Sequence, residues 1–143
     1  MSPDRANHYA PIAEWEPLLT LPQVNFINLQ YADYSSDLTA IESELGVRVH
    51  TFEDLDLFND LDDVAALCKA LDSVVSTTCS VPFISAGVGT STMFASWKQS
   101  LWNNSLFHLT GPRIEQFDRN TWEPWSDVFK EIAQKLSGAG IGL

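Results

Sequence analysis

The sequence predicts an α/β fold in which a mainly parallel sheet is covered by helices on both faces. Short runs rich in aliphatic and β-branched residues recur along the chain: Val24 to Gln30, Val47 to Phe52, Ser73 to Ser76 and Thr90 to Ala95. Between them lie stretches with apolar residues three and four apart, the spacing of a helix with one buried face. Strands that alternate with helices of this length build parallel sheets through right-handed crossovers.

Ile12 to Leu19 places Ile12, Trp15, Leu18 and Leu19 on one helical face, with Pro17 weakening the pattern and Leu21-Pro22 as a stop signal. VNFINLQ follows as a buried strand. Ser35 to Leu45 reads as a helix, with Leu38, Ile41 and Leu45 aligned and Gly46 just beyond its end, where glycine adopts the left-handed conformation. VRVHTF alternates with period two, and EDLDLFND is an acidic loop with Asn59 or Asp60 available as an N-cap. The next helix directs Leu61, Val64, Ala65, Leu67, Cys68 and Leu71 inward, with Asp62 and Asp63 favourable in its first turn. Ser73 to Ser76 is a strand, Thr77 to Ser80 a turn, and Pro82 lies in the first turn of a helix that Gly87 and Gly89 terminate. Thr90 to Ala95 and Ser105 to Leu109 are further strands. A helix over Thr121 to Leu136 closes the fold, facing Trp122, Trp125, Val128, Phe129, Ile132, Ala133 and Leu136 inward. Residues 1–137 form one domain, and 138–143 a flexible glycine-rich tail.

The 143 residues suffice for one domain with a sizeable core, and 45% apolar with 19% charged residues is ordinary globular composition. A net charge of −11 repels nucleic acid and anionic membranes, and no Lys/Arg cluster offsets it. No apolar run is long enough to span a membrane, and the N-terminus lacks the pattern of a signal peptide. Two cysteines at irregular spacing fit neither a disulfide framework nor a zinc site, so a soluble cytoplasmic protein with no bound metal or cofactor is expected.

Ligands of parallel α/β sheets bind beyond the carboxyl ends of the strands. That edge collects Gln30, Tyr31 and Asp33, then Glu53, Asp54 and Asp56, then Thr77, Thr78 and Ser80, with Ser96, Trp97 and Lys98 after the fourth strand. Hydroxyls at a helix start suit a diphosphate, carboxylates suit ribose hydroxyls, and a tyrosine can stack on a base. Each group also has a structural reading: a helix cap for Thr77 to Ser80, a solvated loop for the acidic run, a strand end for Gln30 and Tyr31. Cys79 has the placement of an activated thiol, but no glycine-flanked elbow surrounds it, and His8, His50 and His108 are not obviously paired with it.

VNFINLQYADY and VRVHTFEDLDLFNDLDDVAALCKALDSVVSTTCSV, with the closing TWEPWSDVFKEIAQKL, resemble the C-terminal region of bacterial tetratricopeptide-repeat proteins. That region is similar to the donor lobe of GT-B glycosyltransferases and related to the heptosyltransferases and O-linked N-acetylglucosamine transferase. The resemblance runs from about Trp15 to Leu136. It implies a Rossmann-like three-layer α/β/α sandwich of about five strands that holds a nucleotide diphosphate sugar at its strand ends. Gln30 and Tyr31 match the family's polar residues after a strand, Leu55 and Asp56 its loop beside the nucleotide, and Asn59 and Asp60 the start of the adjoining helix. Thr77, Thr78 and Ser80 match its turn facing the diphosphate.

The sequence departs from the family in four ways, one of them an aliphatic strand and following proline-tryptophan region altered to TSTMFASWKQSLW. The family's first strand, central in its sheet, has no equivalent before Tyr9, so the sheet must close the gap, pair with another chain or rearrange. An acidic residue and a histidine found in many relatives are replaced around Thr77-Thr78 and Val81-Pro82-Phe83. Neither tetratricopeptide repeats nor an acceptor lobe is present, so no catalytic residue is assigned. The leading expectation is a nucleotide-sugar-binding transferase lobe, not catalytic alone and completed by a partner lobe. The alternative is a non-catalytic interaction or homo-oligomerisation module that kept the fold, and a third reading is a small thiol enzyme using Cys79.

Overall fold

The computed structural model describes residues 9–98 and 113–138. The fold is α/β and Rossmann-like, and every strand pair among the described residues is parallel. A 3₁₀ turn at Ile12–Trp15 runs into helix α1 (Glu16–Leu19), which tolerates Pro17 because it falls in the first turn. Strand β1 (Phe26–Ile27) precedes helix α2 (Ser35–Ala40), which widens into a π turn at Ile41–Leu45. Gly46 ends it at φ +66°, and its N–H donates to the Glu42 carbonyl at 3.1 Å. Strand β2 (Val49–His50), helix α3 (Leu61–Ala70), strand β3 (Ser73–Ser76) and helix α4 (Val81–Gly87) follow. The described part closes with β4 (Ser91–Trp97), β5 (Ile114–Arg119) and helix α5 (Trp125–Gly138).

Alternation along β4 builds the three layers. Met93 and Ala95 face a core formed by Leu18 and by Trp125, Val128, Phe129, Ile132, Ala133 and Leu136 of α5. Thr92 and Phe94 face α4 instead: Thr92 Oγ1 lies 2.8 Å from Ser85 Oγ, and the Phe94 and Phe83 rings are 6.4 Å apart. A buried polar chain continues from there. Thr92 Oγ1 donates to the Thr90 carbonyl at 3.0 Å, and Thr90 Oγ1 to the Cys68 carbonyl at 2.8 Å, fastening the end of α3 to the start of β4. Val64, Cys68, Val74 and Val81 form the second core under α3 and α4. Burial pushes the Cys68 thiol above its ordinary pKa.

The sheet is in two pieces, β1-β2 and β3-β4-β5. β1 and β2 pair over two residues each, shorter than the runs 24–30 and 47–52 predict. Beyond Ile27, Asn28 Oδ1 accepts from the Gln30 N–H at 3.0 Å, an Asx-type bend that turns the backbone out of the ladder. Beyond β2, the Leu55 N–H turns back to the Phe52 carbonyl at 3.3 Å.

Three other expectations need correction. Leu61 is 63% exposed and Trp122 77% exposed, so neither faces inward; Trp122 precedes α5 in a turn. Strand β5 falls in a stretch for which the sequence predicts no element, whereas the strand expected at Ser105 to Leu109 lies outside the described residues. Gly138, expected in the tail, is still helical. No described helix is long and apolar enough to cross a membrane.

Candidate functional site

The carboxyl ends of β1 and β2 open into a groove of about 180 Å³ that brings together four of the predicted residues, Gln30, Tyr31, Leu55 and Asp56. They meet because β1 and β2 pair in parallel and in register, Phe26 with Val49 and Ile27 with His50, so both following loops emerge on one side. Asn28 is buried beside the groove, with its N–H donating to the His50 carbonyl at 2.8 Å. Aromatic rings supply the exposed apolar surface: Tyr31 is 47%, Phe52 50% and Phe58 67% exposed. The Tyr31 and Phe58 rings lie 5.8 Å apart and tilted by 52°.

Asp56 is committed to its own loop. Its Oδ1 accepts from the N–H groups of Phe58 and Asn59 at 3.1 and 2.9 Å, and its Oδ2 from Asn59 Nδ2 at 2.9 Å. These bonds, the Asn59 side chain foremost, hold its carboxyl below the usual carboxylate pKa. Asn59 thus shapes the groove through Asp56. Asp60 is the N-cap of α3, its Oδ1 accepting from the N–H groups of Asp62 and Asp63, both at 3.0 Å.

Thr77, Thr78 and Ser80 lie in the turn from β3 to α4, and none of them lines the groove. Ser80 makes no side-chain cap to α4, so the turn is not a conventional Ser/Thr cap. Thr78 Oγ1 is buried and has no hydrogen-bond partner among the described residues. Cys79 Sγ lies 3.2 Å from Ser76 Oγ, and His50 is exposed on β2. Among the described residues no group of three or more His, Cys, Asp or Glu side chains could hold a metal ion.

The sequence reading missed the aromatic part of the groove. Phe52 and Phe58 flank an acidic run and carry no periodic signal, and only the β1-β2 register sets Phe58 beside Tyr31.

Two carboxylates make the fold pH-dependent. Glu123 is held below its ordinary pKa by the backbone and side chain of Asn120, as Asp56 is by Asn59. A carboxyl whose folded pKa is depressed contributes stability above its unfolded pKa, and that contribution is lost as pH falls toward the folded value. Stability should therefore decline below about pH 4. Urea unfolding of Asp56→Asn and Glu123→Gln at several acidic pH values is expected to give shallower declines than the parent chain.

The fold and this groove define the class: a Rossmann-like α/β domain with a small, open groove at the carboxyl ends of two parallel strands. The chain is similar to Protein FlbA of Caulobacter vibrioides, with 33% identity over 138 residues. That alignment covers 95% of this chain and 23% of FlbA, so the chain spans less than a quarter of its relative's length. No family profile and no solved structure matches the chain.

Proposed function

We propose that the domain is the nucleotide-sugar-binding lobe of a glycosyltransferase-like protein, transferring sugar from a nucleotide diphosphate donor only when a second lobe supplies the acceptor site and general base. The observation that carries this reading is the convergence of Gln30, Tyr31, Leu55 and Asp56 on one groove at the strand ends. Tyr31 and Phe58 offer faces for a base, and the Gln30 amide offers hydrogen bonds to its edge. The hydroxyls of Thr77 and Ser80, at the carboxyl end of β3, are left for the diphosphate, with Thr78 in the same turn holding its Oγ1 buried. No lysine or arginine lines the groove among the described residues, so binding should rest on stacking and neutral hydrogen bonds and depend little on salt.

Calorimetric titration with UDP, GDP, ADP and CMP tests the reading. One nucleotide is expected to bind, and Tyr31→Ala to weaken it about tenfold, since a base stacked on an aromatic ring contributes about 1–3 kcal/mol. Absence of binding at millimolar nucleotide, or an unchanged affinity in Tyr31→Ala, would contradict it. The alternative, an interaction module without a ligand, is favoured by one observation, the division of the sheet between β1 and β3.

A further inference from the structure

The charge of the chain is segregated. Between Asn28 and Asp63 the sequence holds ten acidic residues against one basic residue, Arg48, so a quarter of the chain carries −9 of the net −11. The rest is close to balanced, with nine acidic and seven basic residues. The acidic quarter is also the part that builds the groove, whose lining runs from Asn28 to Phe58. Among the described residues no ion pair offsets this charge, since Lys130 pairs with Asp127 and Lys135 with Glu115, all on β5 and α5. Asp33, Asp56 and Asp60 accept hydrogen bonds from N–H groups close by in sequence. Such bonds occupy acceptor sites and leave the charge in place. Glu53 and Asp54 are exposed and have no side-chain partner among the described residues. Apolar surface is interleaved with the carboxylates. Phe52, Phe58 and Leu61 are each half or more exposed, with Glu53, Asp54, Asp60 and Asp62 beside them in sequence.

We propose that this aromatic and acidic surface, from Phe52 to Asp62, docks a basic polypeptide segment that lays arginine side chains on the exposed rings of Phe52 and Phe58. A ring face carries negative potential and attracts a cation, and carboxylates around it add to that attraction. Arginine suits the surface better than lysine. Its planar, weakly hydrated guanidinium stacks on a ring while its N–H groups fork onto a carboxylate. The chain makes the same kind of contact internally, where the Arg119 guanidinium carbon lies 4.3 Å from the centre of a Trp125 ring. Charge complementarity selects a polypeptide as the occupant, because the carboxylates are spread from Glu53 to Asp62. One small cation meets one of them, whereas a segment with several basic residues meets several. Exposed Leu61 takes an apolar side chain set between the basic ones. The docking uses exposed rings and surface carboxylates, so it goes beyond the nucleotide reading and stands or falls separately from it.

An amide-shift titration of the full chain with a short synthetic peptide of alternating arginine and leucine, in the absence of nucleotide, tests it. Saturable shifts are expected at Phe52 to Asp62, and raising salt from about 0.05 to about 0.5 M should weaken binding about tenfold. Nucleotide binding is expected to depend little on salt, so the two readings fail separately. Citrulline in place of each arginine keeps the shape without the charge and should weaken binding about tenfold or more, lysine by less. Phe58→Ala should weaken it about threefold to fivefold, the range of a cation on an exposed ring. The double variant Glu53→Gln, Asp54→Asn, which changes only exposed carboxylates, should weaken it to a similar degree. Three results would overturn the proposal: no shifts at millimolar peptide, equal binding of the citrulline peptide, or an affinity unchanged in Phe58→Ala or in the double variant.

Discussion

Phe129→Ala is expected to lower the stability of the domain by about 3–5 kcal/mol, a large fraction of what a domain of this size possesses. Phe129 has no solvent exposure and sits at the centre of the larger core. Its ring stacks on Trp15 at 4.1 Å and on Trp125 at 6.3 Å, so truncation removes a buried aromatic and two ring contacts together. It also loosens the N-terminal turn, which holds on to α5 through this stack and through one polar contact, Glu14 Oε2 accepting from the Ser126 N–H at 3.0 Å. Urea unfolding followed by tryptophan fluorescence should show a midpoint shift. Phe129→Leu, which keeps most of the volume, should retain more than half of the lost stability.

Arg119→Met should cost about 2–4 kcal/mol through a different mechanism, the loss of donors to carbonyls and a withdrawn charge. Arg119 is 5% exposed, an unusual burial for a guanidinium. Its Nη1 reaches the carbonyls of Asn120, Thr121 and Glu123 at 3.1, 3.0 and 2.8 Å, and its guanidinium carbon lies 4.3 Å from the centre of a Trp125 ring. It thereby shapes the turn from β5 into α5. Burial lowers its pKa, while the carboxylates of Glu14 and Glu123 act in the opposite sense. Methionine matches the packing and leaves the carbonyls unsatisfied; lysine restores charge without the planar fork and should fall between the two. Equal stability of Arg119→Met and the parent chain would show that the cluster does not hold the turn.

These two residues also mark where the sequence was readable. Phe129 belongs to a helical stripe whose members Val128, Ile132, Ala133 and Leu136 are all buried, so α5 and its inner face follow from periodicity alone. Ser73–Ser76 and the Pro82 start of α4 were legible for similar reasons: a short aliphatic run, then a proline that only a first turn accepts. β5 was not, because Arg119 is its one buried residue and Ile114 to Asp118 lack clean alternation. A buried arginine whose Nη1 donates to carbonyls looks, in sequence, like a surface charge.

The groove was half legible. Gln30 and Tyr31 follow a recognisable strand, and Asp56 sits in a recognisable loop. That Asp56 closes its own turn through Phe58 and Asn59, and that Phe58 is set against Tyr31, depends on parallel pairing between strands of two residues each. Thr77, Thr78 and Ser80 share the β3–α4 turn but lie outside the groove, on the other of the two sheet pieces.

The most direct test of the nucleotide-binding account is an amide-shift titration of the chain with UDP, GDP, ADP and CMP. The account predicts saturable shifts at Gln30, Tyr31, Leu55, Asp56 and Asn59 for one nucleotide, extending to Thr77 through Ser80 when the diphosphate is present. Spectra unchanged at millimolar nucleotide, or shifts confined to residues away from the β1 and β2 strand ends, would contradict it.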